Sequence, residues 1–313
     1  MTDKIAQFIQ KFPNAEQNKP LAPFTTLQVG GPADLYYALT DINETEDLLN
    51  TAKELEIPYF ILGGGSNTVF HENGFRGLII HIKAKTITVE EDQIIADAGA
   101  LLSLVLQTAR KNGLIGMEKF MGLPGTVGGA VRGNAGAFGI ETKDVFEKAL
   151  IYNEEKGIHQ ETAEYFNFKY RSSTVKARKG QDIVLQVTYK LQKGDPAAVM
   201  KENATVIASR LKKQPAGKNT GSFFKNPRPF DSAEGPAIHA GKLLDDAGCK
   251  GLRVGEIQVS DQHANWIMNL GNATQTQVIE LMKAMQSRVK EKFGIDLEPE
   301  VQFVGETGPL TFN

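Results

Sequence analysis

The chain has 313 residues, more than one hydrophobic core usually organises, and its 41% hydrophobic and 23% charged side chains are the balance of a soluble globular protein. Its 35 basic and 37 acidic residues leave no footprint for nucleic acid, no apolar run reaches the length of a membrane span, and the amphipathic start MTDKIAQFIQKF lacks a signal-peptide core. The single cysteine, Cys249, excludes an internal disulfide and fits a reducing cytoplasm, and a small buried apolar role is expected for it.

In chain order, residues 3–12 predict a short helix, followed by an irregular stretch to Gly31 and a strand over 33–39. Residues 43–57 carry Leu48, Leu49, Ala52 and Leu55 on one helical face, with Asn43 as a cap and Pro58 as the stop. YFIL (59–62) is a short strand running into Gly63-Gly64-Gly65-Ser66-Asn67. Strands are expected over 77–82, 86–90 and 93–100, a helix over 101–112, and strands over 145–153 and 182–191. Gly194-Asp195-Pro196 marks a boundary. Beyond it come helices over 196–213 and 236–247, strands over 252–259 and 265–270, a helix over 274–293 and a closing strand over 298–305. Helices mixed with many short strands, without a fixed repeat, indicate α+β rather than a regular βαβ array.

The stretch GLPGTVGGAVRGNAGAFG, Gly122 to Gly139, holds seven of the 31 glycines. Glycine in ordered structure costs roughly 0.5–1 kcal/mol relative to alanine, so such density needs a reason. Neither this run nor Gly63–Gly65 is a G-x-G-x-x-G or a P-loop, and a set of tight turns would account for the run taken alone. Two such loops together suit a long ligand: a nest of N–H groups for a pyrophosphate and bare backbone under a flat ring, the shape of FAD. The five histidines show no metal-ligand spacing. His71, four residues beyond Asn67, is the conceivable covalent flavin anchor, but a surface-loop histidine is the better reading. Arg171 in FKYRSS, Ser222 in NTGSFFKNP and Glu300 in EPEVQFVG each have a plain reading as well: a surface arginine, a turn serine and a solvated strand edge shared with Glu298 and Gln302. The two phenylalanines after Ser222 suggest a partly dry pocket for its hydroxyl.

TTLQVGGPADLYY (25–37), LGGGSNTVF (62–70), the glycine run, YRSS, TGSFFKNP and LEPEVQFVG (297–305) occur together and in this order. On these words the chain resembles the UDP-N-acetylenolpyruvoylglucosamine reductases over almost its whole length. The resemblance implies a flavin-binding fold of the vanillyl-alcohol-oxidase type in two subdomains, residues 1–78 and 79–194. A smaller α+β substrate-binding domain, residues 195–313, would follow. It implies that Gly63, Gly64, Gly65, Ser66 and Asn67 hold the FAD pyrophosphate. Gly122, Pro124, Gly125, Thr126, Gly129, Asn134, Ala135 and Gly136 would hold the flavin, noncovalently. Lys213 matches a position linked to NADPH, and Tyr170, Asn226, Lys250 and His263 match substrate-binding positions. A catalytic trio falls on Arg171, Ser222 and Glu300.

In the implied chemistry NADPH reduces FAD, hydride passes to C3 of the enolpyruvyl ether, and the substrate carboxylate becomes an enediolate. Arg171 meets that charge, Ser222 delivers a proton to C2, and a Glu300 that keeps its proton beside the carboxylate shares a hydrogen bond with it. The short connection between Arg171 and Ser222 lacks a tyrosine-bearing insertion, as in the loop-lacking subtype. No metal, no nucleic acid and no membrane insertion are implied, and no oligomer. An oxidase of the same superfamily would often carry a G-G-H in a glycine loop, which neither loop has; a non-catalytic nucleotide-binding module would need the loops without the trio.

Overall fold

The computed structural model describes residues 2–178, 180–229 and 235–312. The chain divides into two compact units, each drawn from separated stretches. Met1–Glu16, Leu35–Gly64 and Leu78–Ser209 make the first; Gln17–Asp34, Gly65–Gly77 and Arg210–Asn313 make the second.

The first unit is built on a five-stranded antiparallel sheet in the order Gly157–Thr162, Phe146–Asn153, Asp182–Lys190, Gln93–Asp97, Ile87–Glu90. Its middle strand reads DIVLQVTYK and is buried along nearly its whole length, as a strand covered on both faces must be. A parallel pair, Tyr59–Leu62 with residues 78–81, sets Leu62 opposite His81. The helix Thr45–Glu54 packs Leu48, Leu49 and Ala52 into the same core as Leu35, Tyr37, Leu78 and Ile80.

The second unit has a three-stranded antiparallel sheet, Arg253–Val254, Ile257–Val259 and Ile267–Asn269. It also has a parallel pair, Gln302–Val304 with Thr68–Phe70. Against these lie the helices Ala240–Asp246 and Gln275–Phe293. The long helix starts in a capping box, with Thr274 accepting from Gln277 N–H and Gln277 returning the bond, and ends at Gly294 in the left-handed conformation. Its Val278, Leu281, Met282, Met285 and Val289 form one buried stripe. Gln275 is fully buried and donates to the Val69 and Val304 carbonyls at 2.8 and 3.0 Å, tying this helix to the parallel pair.

Several elements depart from the expectations. Asp41, not Asn43, caps the turn that leads into the 45–54 helix, accepting from Asn43 N–H; the helix itself ends four residues before Pro58. The stretch before Gly31 is not wholly irregular, because Glu16–Pro20 is a strand. Gly157–Thr162 and Thr68–Phe70 are also strands, beyond those expected. The expected strand over 252–259 is broken at Gly255, in the left-handed conformation, into the two arms of a hairpin. The closing strand is only Gln302–Val304, so Glu300 lies before it rather than within it. The glycine run contains a helix, Val127–Gly133, with Val127, Ala130 and Val131 buried at helical spacing: burial outweighs the poor propensity of glycine. Cys249 is buried and free, as expected. Among the described residues no helix is long and apolar enough to cross a membrane.

His81 is 5% exposed and lies on the face of its strand opposite Leu78, Ile80 and Ile82, with Nδ1 2.8 Å from the Tyr36 hydroxyl. Burial first, then the Lys83 charge, pushes its pKa down to about 4. In the unfolded chain it titrates near 6.5, so between the two values the unfolded state binds the extra proton and stability rises with pH. His81 therefore costs nothing above pH 6.5 and its penalty grows as pH falls to about 4, to a limit of roughly 3 kcal/mol. Urea unfolding at pH 7 and pH 4.5 should show this loss in the wild type and a flatter profile in His81→Gln.

Candidate functional site

In the first unit the two glycine loops meet backbone to backbone. A Cβ on Gly64 would stand 3.0 Å from the Gly125 Cα, and one on Gly63 would stand 2.9 Å from the Thr126 hydroxyl. Part of the glycine density is thus a requirement of loop packing. Another part faces open space: a Cβ on Gly133 would meet nothing within 4 Å, and one on Gly129 only the Thr126 hydroxyl at 3.6 Å. Gly129 and Gly133 are one helical turn apart, so they form a bare strip on the Val127–Gly133 helix. Thr126 lies on the same face, and its buried hydroxyl has no hydrogen-bond partner among the described residues.

The YRSS segment is bolted to this helix. Arg171 adopts a left-handed φ of 53° and donates from Nη2 to the Gly136 carbonyl at 3.0 Å. Ser173 donates to the Arg132 carbonyl at 2.7 Å, and Asn134 Nδ2 donates to the Lys169 carbonyl at 3.1 Å and to Glu141 at 2.9 Å. The Tyr170 ring lies under the Arg171 guanidinium, 5.1 Å from centroid to Cζ. The structure therefore brings Arg171 and Tyr170 to the glycine run, while the Asn134 side chain is engaged within the protein. Arg132 is half-buried, and burial lowers its pKa.

In the second unit the 223–225 segment runs antiparallel to 298–300. Glu300 N–H donates to the Phe223 carbonyl at 2.8 Å, Lys225 N–H to the Glu298 carbonyl at 2.9 Å, and Phe224 bridges Pro299. This pairing sets Glu300 opposite Phe223, one residue along from Ser222. The remaining turn of the first glycine loop joins them: Asn67 Nδ2 donates to the Glu300 carbonyl at 2.9 Å, and Gln302 N–H to the Asn67 carbonyl at 2.9 Å. Gly65 packs so closely on Phe24 that a Cβ would lie 1.9 Å from its carbonyl oxygen, and its own carbonyl receives Thr26 N–H. TTLQVGG and GSN thus form one construction. Ser222 itself is exposed, which corrects the expectation of a dry pocket; the buried members are Phe223 and Phe224.

Around it, Asn226 accepts the Ala240 N–H at 3.1 Å, and a Cβ on Gly241 would lie 3.0 Å from the His263 ring. Burial, and next the Lys250 charge, lower the His263 pKa; Lys250 pairs with Asp245 at 2.9 Å. Asn226, His263 and Lys250 belong to one neighbourhood. Lys213 ends the Pro196–Lys213 helix, and its side chain lies outside the described residues.

Residues 33–161 match the family described as FAD binding domain, and residues 212–304 match the one described as UDP-N-acetylenolpyruvoylglucosamine reductase, C-terminal domain. The UDP-N-acetylenolpyruvoylglucosamine reductase of Caldanaerobacter subterraneus subsp. tengcongensis is 36% identical over 308 residues, covering 98% of each chain. The chain belongs to the UDP-N-acetylenolpyruvoylglucosamine reductase family. The Shouchella clausii reductase is 38% identical over 292 residues, 93% of this chain and 91% of its own. A crystal structure of the reductase from Thermus caldophilus superposes with a TM-score of 0.74 at 34% identity, covering 92% of this chain and 97% of that one. The α+β reading with an FAD-binding domain stands. The reaction is reduction of the enolpyruvyl ether of UDP-N-acetylglucosamine-enolpyruvate to UDP-N-acetylmuramate in peptidoglycan precursor synthesis, with FAD as cofactor and NADPH as hydride donor.

The first unit fits FAD. A strip without side chains, with one unpaired buried hydroxyl at its edge, offers a flat polar ring both contact and a hydrogen bond.

Asn265 was missed by sequence reasoning. It is 3% exposed, accepts Phe224 N–H at Oδ1 and donates from Nδ2 to the Phe224 carbonyl, both at 2.9 Å, while its own carbonyl receives Phe223 N–H at 2.8 Å. It clamps the segment that presents Ser222. Asn265→Leu leaves two buried backbone groups unpaired and should cost about 2–5 kcal/mol in urea unfolding. Asn265→Ser should fall between it and the wild type.

Proposed function

We propose that this chain carries out its family's reduction with Arg171, Ser222 and Glu300 as the side chains at the reacting centre. The observation that carries the reading is the pairing of 223–225 with 298–300, which holds Ser222 and Glu300 on adjacent segments of one unit. FAD, when bound, would supply the hydride chemistry between NADPH and the enolpyruvyl carbon. The chain's own task is to manage the charge and the proton. Hydride addition at C3 drives negative charge into the substrate carboxylate. Arg171, fixed through Nη2 on Gly136, meets that charge with its guanidinium. Glu300, protonated, donates a hydrogen bond to the same oxygens. Ser222, exposed and held on the clamped strand, delivers the proton to C2.

The dinucleotide belongs on Gly63, Gly64, Gly65, Ser66 and Asn67 for its diphosphate. Its flavin belongs on Gly122, Pro124, Gly125, Thr126, Gly129, Ala135 and Gly136, with Asn134 shaping the loop. It is held without a covalent bond, since neither glycine loop carries a histidine. Tyr170, Asn226, Lys250 and His263 receive the UDP-sugar, and Lys213 the NADPH. Residues 1–78 and 79–194 act as the flavin-binding subdomains and 195–313 as the substrate-binding domain, with 17–34 and 65–77 packed in the same unit as most of the latter. The site of action is the cytoplasm.

Half-reactions test this. Ser222→Ala should be reduced by NADPH almost normally, whereas reoxidation by the enolpyruvyl sugar nucleotide should slow about 10²–10⁴-fold, the size of a general-acid effect. Equal losses in both halves would make the serine structural. Glu300→Gln should retain more of the second half-reaction than Glu300→Asp, because glutamine imitates a protonated donor at the same length; stopped-flow mixing of the prereduced variants with substrate reads the order. The reverse order would leave Glu300 as an anion that orients its neighbours.

A further inference from the structure

The five-stranded sheet of the first unit ends in two edges that are finished differently. At the Gly157–Thr162 edge the Ile158 N–H is taken up by Glu46 Oε1 at 2.8 Å. The Ile87–Glu90 edge has no such cover among the described residues. That strand lies along Gln93–Asp97, with Ile87 opposite Ala96 and Val89 opposite Ile94. Asp97 N–H donates to the Thr86 carbonyl at 2.9 Å, so Thr86 points its backbone groups into the sheet. Antiparallel ladders alternate, and Thr88 and Glu90 therefore point inward too, while Ile87 and Val89 turn their N–H and C=O outward. Those outward groups make no hydrogen bond among the described residues.

Residues 85–91 read KTITVEE. Laid antiparallel on a second copy about Thr88, this segment is complementary to itself. Ile87 and Val89 of one chain stand opposite Val89 and Ile87 of the other and exchange four main-chain hydrogen bonds, which uses every outward group of both strands. Lys85 then stands opposite Glu91 at each end, and Glu90 opposite Thr86, so no like charges face one another. Lys85 and Glu91 are exposed, and neither is in an ion pair among the described residues. Ile87 and Val89 are only partly buried against the first unit's core, and a neighbouring strand would cover more of them.

We propose that the Ile87–Glu90 edge is an interaction surface for a second copy of this chain, joining the two sheets edge to edge about Thr88. The occupant is another copy because the charges that flank the strand sit where its own antiparallel image needs them. A seam this short falls below the roughly 1,200–2,000 Å² of a stable interface, so the association is weak and reversible, with a dissociation constant of about 10⁻⁴ M.

Sedimentation velocity on the intact, FAD-loaded chain, over about 10 to 500 µM, reads the association. The wild type should shift from monomer towards dimer across that range. Val89→Pro removes an outward N–H and spares the ladder to Gln93–Asp97, so it should keep the circular dichroism of the wild type yet weaken association about tenfold or more. Glu91→Lys sets a cation opposite Lys85 of the other copy and should weaken association by about tenfold; joining Lys85→Glu to it restores opposite charges and should recover most of the loss. If Val89→Pro does not fold, the charge exchange decides, because both of its residues are exposed. A wild type that stays monomeric at about 500 µM overturns the proposal, and so does a dimer that Val89→Pro and Glu91→Lys leave intact. Association lost in Glu91→Lys and not regained in the double exchange overturns the antiparallel seam.

Discussion

The Gly64 Cα and the Gly125 Cα belong to chain segments some sixty residues apart, yet a single Cβ on Gly64 would come within 3.0 Å of Gly125. That approach of two bare backbones governs the first unit. It lets the Gly63 loop and the Val127–Gly133 helix share one wall, and the helix in turn is the fixture to which the 169–173 segment is bonded. Arg171 inherits its place from that chain of contacts: its left-handed backbone and its bond to Gly136 make sense only if the glycine helix is already positioned. A methyl group at Gly64 would thus be felt at a guanidinium it never touches.

The second unit solves a different problem, the presentation of short polar side chains beside an apolar core. Phe223 and Phe224 are buried while their neighbours on either side are not, so the strand is anchored by its middle. Asn265 serves the backbone of that anchor with both ends of its amide. The partner segment 298–300 is held by Asn67, whose Nδ2 donates to the Glu300 carbonyl. Two asparagines therefore do for this site what a longer sheet would do elsewhere, and leave its face open.

What could be read in the sequence was whatever is dictated locally. Both glycine loops were legible because the absence of a side chain is itself the specification, and the long 275–293 helix because its apolar stripe and capping residues lie within a few turns of one another. Glu300 was legible as a motif but not as a location: the strand it was expected to occupy begins two residues later. The exposure of Ser222 was misread because adjacent phenylalanines suggested a dry surround, whereas they face the core and leave the serine out. Asn265 and His81 were invisible for a common reason. Their partners lie 41 and 45 residues away, and nothing near either residue marks it as a polar group with a buried duty. The helix inside the glycine run was hidden because propensity argues against it, and only the burial of Val127, Ala130 and Val131 supports it.

The interleaving of the two units has a consequence for how the chain is made. Gln17–Asp34 and Gly65–Gly77 leave the ribosome early, but the stretch they pack with, Arg210–Asn313, is synthesised last. Leu27, Val29 and Val69 belong to a core whose other members, from Phe223 to Phe303, do not yet exist when they emerge. The nascent chain therefore carries these apolar side chains uncovered until the later residues emerge. The core of the second unit closes only when residues 223–303 join Leu27, Val29 and Val69, so its loop closures are long, and a chain cut before Arg210 leaves those three apolar side chains without the residues that cover them, the kind of surface that promotes aggregation.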